Sequence, residues 1–143
     1  MKSLISALIL GIVLSACSKE SDYRERLKGT WTISELQVKE SVDTTSSTYT
    51  LQNAGIYNFT KSGDGSLTES SDTNASTKSF KWSVISNDKV ILNFSASNTE
   101  EWTVFSNQAS AQIWENTSSD NLQKGGLTAT HTLYRKISLQ KLK

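Results

Sequence analysis

Phe80-Lys81-Trp82-Ser83-Val84-Ile85-Ser86-Asn87-Asp88-Lys89-Val90-Ile91-Leu92-Asn93-Phe94 is the stretch on which the fold turns. Phe80, Trp82 and Val84 alternate with Lys81 and Ser83, and beyond Asn87-Asp88 the residues Val90, Leu92 and Phe94 alternate again. Successive side chains of a strand point to opposite faces, so each half carries one apolar and one polar face. Asn and Asp favour turns because their side chains hydrogen-bond nearby backbone. Two amphipathic strands joined by a tight turn form an antiparallel hairpin.

The same rhythm extends in both directions. Upstream, Tyr57 and Phe59 lie on one face of a strand over 55–61. Ser62-Gly63-Asp64-Gly65 follows as a hairpin turn, its glycines supplying the positive φ that tight turns need. Further strands are expected over 30–40, 66–70, 77–85, 89–95, 99–105, 109–115 and 127–139. Trp102 and Val104 share one face in the sixth, and Asn107-Gln108 turns into the seventh. Trp114 is ambiguous in parity and could face out near the rim. Eight strands with no helix between them pair as an antiparallel meander. The connections alternate: tight turns on one side, longer loops on the other, the longest over 41–54 and 116–126. A closed barrel with a narrow base and a loop-rimmed mouth accounts for that alternation, and closure removes the exposed edges of an open sheet.

Composition agrees. The chain has 143 residues, enough for one domain. It holds 40 Ser and Thr, four Trp and no Pro, which suits strands better than helices. Fifteen Lys and Arg nearly balance 14 Asp and Glu, which argues against a nucleic-acid-binding surface. A single Cys excludes a disulfide framework within one chain.

The N-terminus reads as an address. Met1-Lys2-Ser3 is a short positive region, and residues 4–14 are mostly apolar. Spanning a bilayer takes ~20 apolar residues, so this stretch fits the core of a secretory signal instead. It ends in Leu14-Ser15-Ala16-Cys17, which resembles the lipobox of bacterial lipoproteins. That resemblance implies removal of residues 1–16, lipidation of Cys17, and a place in the bacterial envelope, most plainly the outer membrane. The alternative is an ordinary signal peptide with a chance Cys. Residues 17–28 then form a tether, Ser18-Lys19-Glu20-Ser21-Asp22, running into one helical turn in which Tyr23 and Leu27 share a face. Residues 29–143 are the barrel domain.

Gly29-Thr30-Trp31, opening the first strand directly after the helical turn, resembles the Gly-x-Trp motif of lipocalins and of lipocalin-like bacterial lipoproteins. Tyr57-Asn58-Phe59, Phe80-Lys81-Trp82 and Trp102-Thr103-Val104 look like that bacterial group's strand rhythm. The resemblance implies an eight-stranded up-and-down barrel with Trp31 packed at the closed base under an Arg from the last strand. Arg135 is the candidate for that partner. The chain is shorter than a typical lipocalin and lacks an obvious large helix after the last strand, so its cavity is expected to be small.

No catalytic constellation emerges, and no cofactor or metal is expected. His131 is the only His, and the only Cys is assigned to lipid. Glu100 and Glu101 are adjacent in a strand and point to opposite faces, so they form no dyad. Strand direction places Tyr57, Phe80, Phe94, Trp102 and His131 toward the mouth as ligand-binding candidates, and Trp31, Phe59, Val84, Val90 and Arg135 toward the base. Two functions fit: binding of a small apolar or amphipathic ligand in the mouth, or a filled, non-catalytic barrel that contacts an envelope protein or glycan through its loops. A continuous apolar cavity above ~300 Å³ separates the first from the second.

Overall fold

A computed structural model describes residues 21–70, 75–86, 88–124 and 126–143, apart from the side chains of Lys124 and Leu127. Cys17, residues 1–16 and most of the tether lie outside the described residues, as does Asn87. Residues 21–27 form a short helix, α1. Eight strands follow: β1 (Gly29–Val42), β2 (Thr45–Phe59), β3 (Asp64–Glu69), β4 (Ser76–Ser86), β5 (Lys89–Ser95), β6 (Asn98–Asn107), β7 (Ala111–Lys124) and β8 (Leu127–Lys141). Each pairs antiparallel with its neighbours, and β8 pairs with β1, so the sheet closes into an up-and-down barrel.

The base is dry and aromatic. Trp31, Phe59, Val90, Leu92, Trp114 and Leu139 are almost wholly buried. Phe59 meets Trp82, Phe80 and Trp114 edge-on, with ring centres 5.4, 5.6 and 5.9 Å apart. Such edge-to-face pairs add ~0.5–1.5 kcal/mol each beyond the area they bury. Trp114 belongs to this core and does not face out at the rim. Its parity was hard to read because its inward neighbours Gln112 and Asn116 are polar. Gly65 is required where β3 passes Phe80, because a Cβ there would strike the Phe80 ring and come within 2.8 Å of the Asn58 carbonyl.

Helix α1 lies across this closed end. Its buried Tyr23 donates a hydrogen bond to Gln112 Oε1 at 2.9 Å, and Trp114 Nε1 donates to the same oxygen at 2.8 Å. Trp31 Nε1 donates to the carbonyl of Leu27 at 2.7 Å, which satisfies a carbonyl at the helix end. Gly29, with φ of +111°, turns the chain from helix into β1. Arg24 sits over Trp82, and Arg26 reaches the carbonyl of Asn107, so the helix spans from β4 to the β6–β7 turn. The chain therefore enters at the end of the barrel that carries the β2–β3, β4–β5 and β6–β7 connections.

Two expected loops are strands. Residues 41–54 and 116–126 do not form long loops. Beyond an irregularity between Ile33 and Glu35, β1 and β2 pair without a break from Glu35–Gln52 to Val42–Thr45, with Asp43 at φ +50° in the turn. β7 and β8 pair to Lys124–Leu127. Since β1 and β8 pair from Trp31–Lys141 to Val42–His131, the two hairpins merge into one four-stranded flange, in the order β2–β1–β8–β7. It rises above the shorter wall of β3 to β6. Periodicity missed it for a physical reason: residues 45–53 are exposed throughout. A strand wet on both faces has no need to alternate apolar and polar residues.

Candidate functional site

The mouth encloses a cup of about 80 Å³, lined by Ile33, Leu36, Ala54, Tyr57, Leu67, Glu69, Trp102, Arg135 and Ile137. A polar cluster forms one side. Arg135 donates from Nη1 to Glu100 Oε1 at 2.9 Å and from Nη2 to Asn116 Oδ1 at 2.8 Å. Trp102 Nε1 donates to the other Glu100 oxygen at 3.0 Å. Asn116 Nδ2 donates to the carbonyl of Glu101 at 2.7 Å, close to where the β6–β7 ladder stops at Thr103–Glu115. The Arg135 guanidinium stacks 4.9 Å from the centre of the Trp102 ring. The ion pair is largely shielded, with the two side chains 24% and 18% exposed.

Arg135 therefore does not lie over Trp31. Lys141 does, with Nζ 5.2 Å from that ring and donating to the carbonyl of Arg26 at 2.7 Å. The register explains the exchange. Trp31 pairs with Lys141, whereas Arg135 pairs with Val38, higher on β1. The strand runs on past 139, so counting from its expected end put Arg135 too near the base.

Tyr57 completes the cup. It is 3% exposed, and its hydroxyl meets no hydrogen-bond acceptor among the described residues. Burial pushes its pKa up, and the neighbouring Glu100 carboxylate adds to the effect. The phenol is thus held protonated, as a donor. The charges around it are matched: Arg135 by Glu100, and Glu69 by Lys78 at 2.9 Å.

The five expected mouth residues separate into three places. Tyr57 and Trp102 line the cup. Phe80 and Phe94 stack edge-on at 5.3 Å and line a separate groove of about 600 Å³, open to solvent where the β4–β5 ladder ends at Lys81–Asn93. His131 lies on the flange, outside the lining of either. Sequence reading separated Glu100 from Glu101 correctly: Glu100 turns inward to Arg135, and Glu101 pairs with Lys89 at 2.6 Å. It did not place Glu100, Asn116 or Glu69 at the site. The available signal was that Glu100 and Trp102 share a face, two residues apart.

His131 acts as a clamp across three strands. Its Nδ1 is 2.8 Å from Asp120 Oδ1 on β7, and its Nε2 is 2.9 Å from Glu40 Oε1 on β1. Asp120 first and then Glu40 raise its pKa above the ordinary 6.5. A raised folded-state value means the clamp's contribution is complete below pH ~6.5 and is lost as pH rises through the raised value. Hydrogen exchange along 117–123 and 39–42 should therefore quicken on passing from mildly acid to alkaline pH, beyond the intrinsic pH dependence of exchange. In His131→Gln that added step should be absent. Identical profiles in the two proteins would show that the clamp does not hold the flange. Among the described residues no cluster of His, Cys, Asp and Glu is arranged to hold a metal ion.

The fold is a closed eight-stranded antiparallel up-and-down barrel with a short N-terminal helix. No family model and no curated protein matches the chain. Among solved structures it is similar to a deswapped triple mutant of bovine odorant binding protein, at 13% identity and a TM-score of 0.44, over 82% of this chain and 76% of that one. It is also similar to the S-type phycobiliprotein lyase CPES from Guillardia theta, at 8% identity and a TM-score of 0.32, over 86% of this chain and 92% of that one.

Proposed function

We propose that this chain is a lipid-anchored, non-catalytic binding protein of the bacterial envelope, most plainly of the outer membrane. It takes a slender amphipathic molecule at the barrel mouth. The observation that carries this reading is the cup: an opening under the flange with a protonated Tyr57 donor that no described protein group engages. At about 80 Å³ the cup falls short of the ~300 Å³ continuous cavity expected of a barrel that engulfs its ligand. Only one end of a molecule fits. The remainder lies along the inner face of the flange, where Leu51 pairs with the cup residue Leu36, and Tyr49 with Val38. Leu51 and Tyr49 are half exposed, 48% and 49%, and supply the apolar surface. Since the cup's ion pairs are internally matched, the favoured end is a neutral acceptor, a carbonyl or ether oxygen, and not a second carboxylate beside Glu100 and Glu69.

Calorimetric titration of the Cys17→Ser chain with 2-nonanone, nonane and octanoate tests this. The ketone should bind more tightly than either of the others. Tyr57→Phe should weaken the ketone by about fivefold, the equivalent of one neutral hydrogen bond, and leave nonane unchanged. Absence of binding by all three would overturn the ligand reading. The filled base and the exposed flange would then favour the second function, contact with an envelope protein or glycan.

The anchor follows from Leu14-Ser15-Ala16-Cys17 and from the entry of the chain at the base, which leaves the mouth facing away from the membrane. Wild-type protein should incorporate radiolabelled palmitate and sediment with membranes, and Cys17→Ser should lose both properties. Undiminished labelling of Cys17→Ser would exclude Cys17 as the acceptor.

A further inference from the structure

The flange ends in an edge that is built differently from the other open edges of the sheet. Residues 45–52 of β2 pair with β1 on one side, while β3 pairs with Gly55–Phe59 and Ser70 N–H donates to the Ala54 carbonyl at 3.1 Å. The outward backbone N–H and C=O groups of residues 45–52 face solvent over ~27 Å, at ~3.4 Å per residue. Residues 45–53 are all exposed. A bare edge of this kind is a template for another strand, and proteins usually blunt it with charge, Pro or a bulge.

The other open edges follow that rule. Where β4 parts from β5, residues 76–80 carry Lys78. Where β6 parts from β7, residues 98–102 carry Glu100 and Glu101, and residues 116–124 of β7 carry Asp120 and Lys124. By contrast, Thr45-Ser46-Ser47-Thr48-Tyr49-Thr50-Leu51-Gln52 has no charge and no Pro. It pairs with β1 without a break, the irregularity coming only at Asn53, where φ is +51°.

We infer that this edge pairs with the same edge of a second copy of the chain, antiparallel about a two-fold axis. An antiparallel self-pairing sets each residue opposite its mirror position in the strand, so any charge would meet its own kind near the axis. This strand has none. Thr, Ser and Tyr opposite one another are favourable cross-strand pairs. The two four-stranded flanges then form one eight-stranded sheet bridging two barrels. The pairing uses the outer edge of β2, so it is independent of the cup.

The test uses the full chain carrying Cys17→Ser, so that an introduced thiol is the only one. Sedimentation velocity should show a monomer–dimer equilibrium that shifts with concentration. Single Cys substitutions at each position from 46 to 51 should give disulfide-linked dimers whose yield peaks near one position and falls severalfold two residues to either side. Thr48→Lys should weaken the dimer at least tenfold. All these positions are exposed, so the substitutions leave the core intact. A monomer at every concentration, a flat cross-linking profile, or a Thr48→Lys chain that dimerises like its parent would each overturn the pairing. A monomer that binds a different extended peptide would overturn it equally.

Discussion

Trp31→Ala should lower the free energy of unfolding by about 3–5 kcal/mol, the range for deleting a buried large aromatic. Trp31 is fully buried, so the cavity left behind opens among side chains already packed on every side. Two further losses accompany it. The Leu27 carbonyl gives up its donor at the end of α1, and Lys141 gives up the ring beneath its ammonium group. Typical domains hold together by only ~5–15 kcal/mol, so the variant should unfold at markedly lower urea. It should also lose exchange protection over residues 23–27, because the helix is pinned to the barrel partly through this indole. An unchanged urea midpoint would show that α1 and the base pack without it.

The second large effect is expected at the mouth. Arg135→Met leaves Glu100 held by the Trp102 indole alone and removes the donor to Asn116 Oδ1. Removing one member of a shielded ion pair costs ~3–5 kcal/mol when the partner charge stays buried. Here the side chains are 24% and 18% exposed, and solvent screening brings the expectation down to about 2–3 kcal/mol. The double variant Arg135→Met, Glu100→Leu should recover most of the loss, since no uncompensated charge remains. Chemical denaturation of the four proteins forms a double-mutant cycle. Simple additivity, with the double variant as unstable as the sum of the two, would show that the pair is not coupled.

The barrel was legible where a strand has one wet and one dry face. Phe80, Trp82, Val84, Val90, Leu92 and Trp102 face inward as their alternation requires, and all six are buried. Helix α1 shares the base with the β2–β3, β4–β5 and β6–β7 turns, but the expected alternation of tight and long connections is absent, since β1–β2 and β7–β8 close the other end just as tightly. Legibility failed where the physics behind the alternation is absent. Residues 45–53 and the tip of β7 are wet on both faces, so Ser, Thr and Asn fill them without a period, and they resemble loops. Their high Thr content was the remaining strand signal, through β-propensity alone. At Trp114 polar inward neighbours hid the parity: Gln112 is buried because it accepts from Tyr23 and Trp114, and Asn116 because it bridges Arg135 and Glu101.

Local pattern alone determined that this chain makes eight consecutive antiparallel strands, which side chains of the barrel strands turn inward, and that Trp31 follows a helical turn at the narrow end. Those features depend on neighbours within a few residues. Tertiary structure decided how far up the barrel each inward residue sits. An alternating pattern is unchanged when a strand slides by two residues, so it reports the face and not the height. Height is set by the pairing of β1 with β8, strands about a hundred residues apart in the chain. That register brings Lys141 over Trp31, lifts Arg135 to Trp102 and Glu100, and carries His131 up to Glu40 and Asp120. The cup and the clamp exist only once the barrel has closed.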